Sequence, residues 1–193
     1  MCGRYYYADK TAEDVEEELG LPEGVLTLPA GDVMPGTVAS ALIIGKEAKD
    51  ITVASMHWGL VSKDKKLLIN ARVESVLNKP MFSESVQSRR CILPAGGFYE
   101  WSRDKTKYNF SKGDNSPLYL AGFYNMNENR DSFVILTTEA NSSMEPVHDR
   151  MPVFIEGKNV RKYLSNRDAA LDMIRDRMPE LNRKSDYEQL NLF

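Results

Sequence analysis

The second residue of the chain is a cysteine, in the run Met1-Cys2-Gly3-Arg4-Tyr5. Removing Met1 would leave an α-amine and a thiol on adjacent carbons of Cys2. The α-amine has a reference pKa of about 7.7–8.0 against about 10.4 for a lysine, so far more of it is neutral and nucleophilic at pH 7. A thiol with a reference pKa of about 8.5 is also partly ionised there. Such a pair can take up an aldehyde, first as a Schiff base through nitrogen and then as a five-membered thiazolidine through sulfur. It also suits an N-terminal nucleophile amidotransferase, in which the thiolate attacks a glutamine amide and the amine acts as base. Ammonia release from glutamine separates the two. In a third reading Cys2 is an incidental residue at a frayed terminus.

Capture of an aldehyde held as a closed sugar needs a proton donor for ring opening and acid/base help as water leaves. Glu100 fits that need, because it stands among Phe98, Tyr99 and Trp101 and follows Gly96-Gly97; apolar neighbours raise a carboxyl pKa toward neutrality. Its plain alternative is a glutamate on an edge strand facing water. His148, in Val147-His148-Asp149-Arg150-Met151-Pro152, is better suited than His57 to handle protons near pH 7. Asn70 ends the apolar run Leu67-Leu68-Ile69 and could orient an amine or a sugar hydroxyl, or cap a turn. Arg4, Arg72 and Arg150 would form a phosphate clamp if the fold gathers them. The only cysteines and histidines are Cys2, Cys91, His57 and His148, with no pair at zinc-ligand spacing, so neither a metal nor a cofactor is predicted. Cys91, in an apolar run, reads as a small buried hydrophobe.

These residues must be held by 193 residues that are 42% hydrophobic with a net charge of -3. That size fits one domain with its own core. The charge argues against bulk electrostatic coating of nucleic acid and leaves room for a local basic groove. Without a leader-like or membrane-spanning apolar run, the expected setting is reducing and cytoplasmic, in association with the nucleoid, with no membrane partner and a monomeric protein. Strand-like runs dominate, at Val38–Ile44, Ile51–Trp58, Leu67–Asn70, Cys91–Trp101, Leu118–Tyr124 and Phe133–Thr138. Helical patterns lie at Thr11–Leu19, with Thr11 as N-cap, and at Val73–Asn78, Ser83–Ser88, Lys158–Leu164 and Arg167–Met178. Lys46–Asp50 and Asp104–Asn115 read as solvated loops. The fold class is α+β on mainly antiparallel strands, since the strands lie too close together for regular crossover helices.

Met1-Cys2-Gly3-Arg4, Ile69-Asn70-Ala71-Arg72-Val73-Glu74, Cys91–Trp101 and His148-Asp149-Arg150-Met151-Pro152 together resemble the SRAP family, the SOS-response-associated peptidase-like proteins. Trp58-Gly59 and Thr137 also fall where that family has a Trp-Gly pair and a threonine. The resemblance implies a bifurcated, barrel-like sheet flanked by short helices over residues 1–181. It implies a protein that binds single-stranded DNA and crosslinks Cys2 to the opened sugar of an abasic site, shielding it from cleavage. By the same resemblance Asn70 positions the amine, Glu100 is the acid/base of ring opening and crosslink reversal, and His148 assists the Schiff-base steps. Arg4, Arg72, Arg150 and Thr137 fall on the DNA side, with Trp58 as a base-stacking neighbour. The peptidase label refers to removal of Met1, and a lyase activity goes with the same chemistry. A non-covalent DNA reader, in which Cys2 is dispensable, is a further alternative. One departure stands out: Asp32-Val33-Met34-Pro35 replaces a segment that usually carries a neutral asparagine.

Residues 182–193 read as a polar tail that ends in Gln189-Leu190-Asn191-Leu192-Phe193. That ending resembles the pentapeptide with which bacterial DNA-processing proteins dock on the sliding clamp. Leu190, Leu192 and Phe193 would enter an apolar cleft, with Gln189 as a hydrogen-bonding anchor. A terminal strand packed on its own core is the alternative.

Overall fold

The computed structural model describes residues 2–45, 50–126 and 130–185. In chain order its strands are β1 (Arg4–Tyr7), β2 (Gly31–Val33), β3 (Val38–Ile44), β4 (Ile51–Trp58), β5 (Leu60–Val61), β6 (Leu67–Leu68), β7 (Asn70–Arg72), β8 (Arg90–Ala95), β9 (Gly97–Trp101), β10 (Lys107–Ser111), β11 (Leu118–Asn125), β12 (Ser132–Glu139), β13 (Arg150–Pro152), β14 (Phe154–Ile155) and β15 (Asn182–Ser185). The helices are α1 (Thr11–Leu19), α2 (Val73–Val76), α3 (Pro80–Ser88), α4 (Gly157–Ser165) and α5 (Arg167–Met173). None is long and apolar enough to cross a membrane among the described residues.

Two sheets carry the fold. The larger runs β13-β12-β4-β3-β8-β11-β14, with β7 added on β12, and β12 also pairs with β11. The circuit β12-β4-β3-β8-β11 therefore closes on itself, which agrees with the barrel-like α+β fold expected from the sequence. Three of its strands are buried on both faces: every residue of β8 and the first six of β11 and of β12. Most pairings are antiparallel, and β12 runs parallel to β4 and β7. The smaller sheet has the order β15-β10-β9-β1-β2 and alternates. Along β1, Tyr5 and Tyr7 are buried while Arg4 and Tyr6 are part-exposed, the period of two expected of a sheet with one covered face.

The chain passes from one sheet to the other at Gly96. Ala95 still pairs with Leu118 in the closed circuit, and Gly97 already pairs with Tyr6 in the smaller sheet. The continuous apolar run 91–101 is thus two strands in two sheets. Three further expectations are corrected. The solvated loop assigned to 104–115 contains β10, because Tyr108 and Phe110 share the inward register of Glu100 and Phe98 despite the charged flanks. Thr11 does not cap α1 as its N-cap; it is the first helical residue, and its hydroxyl accepts a hydrogen bond from the Ala8 N–H at 2.8 Å. The polar tail does not begin at 182, since Asn182–Ser185 pair along β10 as its outer neighbour. Residues 189–193, the clamp-like pentapeptide with Gln189, Leu190, Leu192 and Phe193, lie outside the described residues.

Candidate active site

The candidate site lies where the two sheets meet. Cys2 precedes β1 and is fully buried with a free thiol. Asn70 opens β7, laid against β12 with its backbone opposite Ile135, and its Nδ2 donates to the Cys2 carbonyl oxygen at 2.8 Å. This bond ties the leading residue of one sheet to a strand of the other across 68 positions. The second polar atom of the same amide, Oδ1, is buried without a hydrogen-bond donor. A buried acceptor of that kind costs about 1–3 kcal/mol, so it is the place where an incoming N–H gains most.

Glu100 comes from the inward register of β9 and is 6% exposed. It shares that inward register with Phe98, whereas the adjacent Tyr99 and Trp101 point to the opposite face of the strand. One of its oxygens accepts from the Trp101 N–H at 3.4 Å. Its charge is felt at Cys2: burial first, and Glu100 second, push the Cys2 thiol up to about 12 from 9.0, while the Arg4 backbone N–H pulls it down. The thiol therefore stays protonated at neutral pH in this setting, and a base is needed before sulfur can add to anything. Cys2, Asn70 and Glu100 thus form one cluster. Cys91, the other thiol, is fully buried in β8 and pushed upward by burial alone, as a packing residue would be.

His148 sits in the turn before β13. Its Nδ1 lies 2.8 Å from an Asp149 carboxylate oxygen and 3.0 Å from the Arg150 backbone nitrogen. An unprotonated Nδ1 accepts the Arg150 N–H. The side chain is 28% exposed.

The arginines divide. Arg72 is exposed at the end of β7 and makes no ion pair among the described residues. Arg4 is half-committed: its guanidinium lies 3.2 Å from Asp32 and 5.3 Å from the centre of the Trp101 ring. Arg150 is 7% exposed; it holds both oxygens of Glu74, at 2.7 and 2.9 Å, and donates to the Thr137 carbonyl at 2.8 Å. The hydrogen bonds from Arg150 hold the Glu74 carboxyl below the usual carboxylate range. Arg72 and Arg150 line one groove of about 420 Å³ together with Glu139, Glu145 and Asp149, so its charge is mixed. An open three-arginine clamp is not what the chain builds: Arg150 is committed to Glu74 and the Thr137 carbonyl, Arg4 is shared with Asp32, and Arg72 is exposed.

Two further residues expected on the DNA side, Trp58 and Thr137, are buried. Trp58 is fully buried, stacked on Phe133 and tilted against Tyr5, with its Nε1–H on the Ile69 carbonyl at 3.0 Å. It presents no ring face to a base; it sets the strand that delivers Asn70. Thr137 is also fully buried, opposite Arg72 in the parallel pair, with its hydroxyl near the Ala71 carbonyl at 3.5 Å. Sequence reasoning missed Glu74 as the partner of Arg150, although the two motifs were in view, because only the parallel pairing of β7 and β12 brings them together. Among the described residues no three histidine, cysteine, aspartate or glutamate side chains gather as a metal site.

The model of the SOS response associated peptidase (SRAP) family matches residues 1–190. The chain is 34% identical over 192 residues to abasic site processing protein YoqW of Bacillus subtilis, covering 90% of this chain and 84% of that one. It is 27% identical over 180 residues to abasic site processing protein YedK of Escherichia coli, covering 85% and 79%. A crystal structure of a Bordetella bronchiseptica protein superposes with a TM-score of 0.79 at 21% identity, covering 95% of this chain and 99% of that one.

Proposed function

The chain belongs to the SOS response associated peptidase family, whose curated relatives include abasic site processing proteins, and from this premise we propose that it captures abasic sites in single-stranded DNA as a thiazolidine on Cys2. The observation that carries the reading is the convergence of Asn70 and Glu100 on Cys2. Hydrolysis of the Met1–Cys2 peptide bond releases methionine and frees the amine. The buried Asn70 Oδ1 is the acceptor available to that amine, and the Nδ2 bond to the Cys2 carbonyl fixes the residue while the nitrogen reacts.

The chemistry runs in a fixed order because the thiol is protonated. Glu100 in its acid form donates to the ring oxygen as the anomeric hydroxyl gives its proton to water, and the sugar opens to its aldehyde. The neutral amine adds to the carbonyl carbon, the carbinolamine loses water, and an imine remains. The Cys2 sulfur then adds to the imine carbon as its proton passes through Glu100 to the nitrogen, which closes the five-membered ring. The balance is aldehyde plus aminothiol giving thiazolidine plus water. Reversal uses the same carboxyl in the opposite sense. His148, held through Nδ1 beside Asp149 and the Arg150 N–H, serves the proton transfers around imine formation. Arg4 and Arg72 hold the flanking phosphates.

Cys2→Ser tests the order of steps. The variant should form an imine that borohydride traps and that hydrolyses without it, whereas the native protein gives an adduct stable to denaturation. An equally stable adduct from Cys2→Ser would remove the sulfur step. A role in the SOS response follows the family's name, and induction of the protein by DNA damage tests it.

A further inference from the structure

A closed circuit of contacts leaves Cys2, passes through the indole of Trp58 and returns. Asn70 Nδ2 donates to the Cys2 carbonyl, and Ile69, the residue before it, accepts from the Trp58 Nε1–H at 3.0 Å. The indole in turn lies 5.2 Å from the ring of Tyr5, which stands in β1 three residues beyond Cys2. Both elements that meet at the reactive residue therefore touch one fully buried side chain.

That side chain is itself held on several sides. The Trp58 N–H donates to the Thr37 carbonyl at 2.9 Å, its carbonyl accepts from the Gly36 N–H at 2.8 Å, and the Gly59 N–H donates to the Phe133 carbonyl at 2.8 Å. Phe133 also stacks on the indole, with 11° between the planes. Directly after Trp58 the chain turns at Gly59, where φ is +116° and a Cβ would come within 2.6 Å of the Leu67 side chain. By contrast β7 has three residues and passes at once into α2, a small grip for the strand that carries Asn70. The Ile69 carbonyl ahead of it takes two donors, the Ile135 N–H at 3.1 Å and the indole. The first fixes register along β12; the second restrains the same carbonyl from a different element.

Resting on the function proposed above, we propose that Trp58 is a positioning residue for the crosslinking reaction, fixing the Asn70 amide against Cys2 by gripping β1 through Tyr5 and the start of β7 through the Ile69 carbonyl. A misplacement of about 1 Å costs roughly 100-fold in rate, so a lost restraint shows in the adduct-forming step and not in affinity for DNA.

The test is a double-mutant cycle on the methionine-trimmed full chain, with the saturated rate of adduct formation, DNA affinity and melting temperature read separately. Trp58→Phe keeps an apolar ring and removes the N–H; it should slow the saturated step roughly tenfold and leave affinity for an abasic oligonucleotide within about twofold. In Asn70→Ala, with no amide left to position, it should slow the step less than about twofold, while the melting temperature falls equally in both backgrounds. Val160→Ala, in the buried face of α4, is the stability control and should leave the rate as it is. Equal slowing by Trp58→Phe with and without Asn70, or no slowing with Asn70 present, would overturn the proposal. Tyr5→Leu takes the ring from the indole, leaves both hydrogen bonds on Ile69, and gives the same cycle where Trp58→Phe fails to fold. Exchange protection of the Asn70 Nδ2 protons, measured by NMR without DNA, should fall in Trp58→Phe. An adduct with unchanged protection removes the positioning role alone, and lost protection in a protein that never forms an adduct removes the crosslinking reading alone.

Discussion

Asn70 spans the junction of two sheets to donate to the carbonyl of Cys2 at 2.8 Å, and its own side-chain oxygen remains buried without a donor. One amide thus anchors the residue and offers an acceptor beside it. Asn70→Ala removes both, and a lost buried hydrogen bond of about 1–3 kcal/mol should slow adduct formation roughly 5- to 150-fold. Time courses of adduct on denaturing gels check this; an unchanged rate would mean that the amide only supports the fold.

Glu100→Gln should move two observables in opposite directions. Glu100 raises the Cys2 thiol, second to burial, so the variant should be alkylated by iodoacetamide at lower pH than the native protein. Crosslinking should nevertheless slow, because the proton carrier is gone. The raised thiol also has a stability consequence: its contribution is complete below the reference value of 9.0 and is lost as pH rises toward about 12. Melting curves taken from pH 8 to 11 should fall less steeply for Glu100→Gln.

Asp32 occupies Arg4 at 3.2 Å. The two side chains are 31% and 38% exposed, so the pair is worth at most about 1 kcal/mol. Asp32→Asn should therefore tighten single-stranded DNA binding about two- to fivefold at low salt, and the gain should vanish as salt rises. No gain at any salt would show that Arg4 does not meet phosphate.

The other two arginines should separate by readout. Arg72→Ala should weaken DNA binding and lower the salt slope by about 0.7 with an unchanged melting temperature. Arg150→Ala should lower the melting temperature by several degrees, through roughly 2 kcal/mol lost mainly at the Thr137 carbonyl. The Glu74 share is smaller, since that carboxylate is 46% exposed. Because Arg150 lowers the Glu74 pKa, this share is present above the ordinary carboxylate range and fades as pH falls, so the gap between the native protein and Arg150→Ala should narrow in acid.

Much of this was legible in the residues. The apolar runs of β3, β4, β11 and β12 are bounded by turns and carry no competing pattern, so they stand within a residue or two of where the sequence puts them. Cys2, Asn70 and Glu100 were singled out by chemistry and neighbours, and the fold clusters them. What failed depended on tertiary placement. Tyr5, Tyr6 and Tyr7 are alike in sequence, and only the pairing of β1 between β2 and β9 decides which ring is buried. Trp58 carries no local sign that Phe133 covers its face. The cations of 104–115 hid a strand whose apolar members are two residues apart. Arg150 looked free for phosphate because its partner, Glu74, lies 76 positions away.

Intact mass of the methionine-trimmed protein after incubation with an abasic single-stranded oligonucleotide tests the central claim most directly. The account predicts one added oligonucleotide less one water, stable to denaturation and absent in Cys2→Ala. A correctly trimmed, folded protein that never gains this mass, or a Cys2→Ala variant that gains it equally, would contradict it.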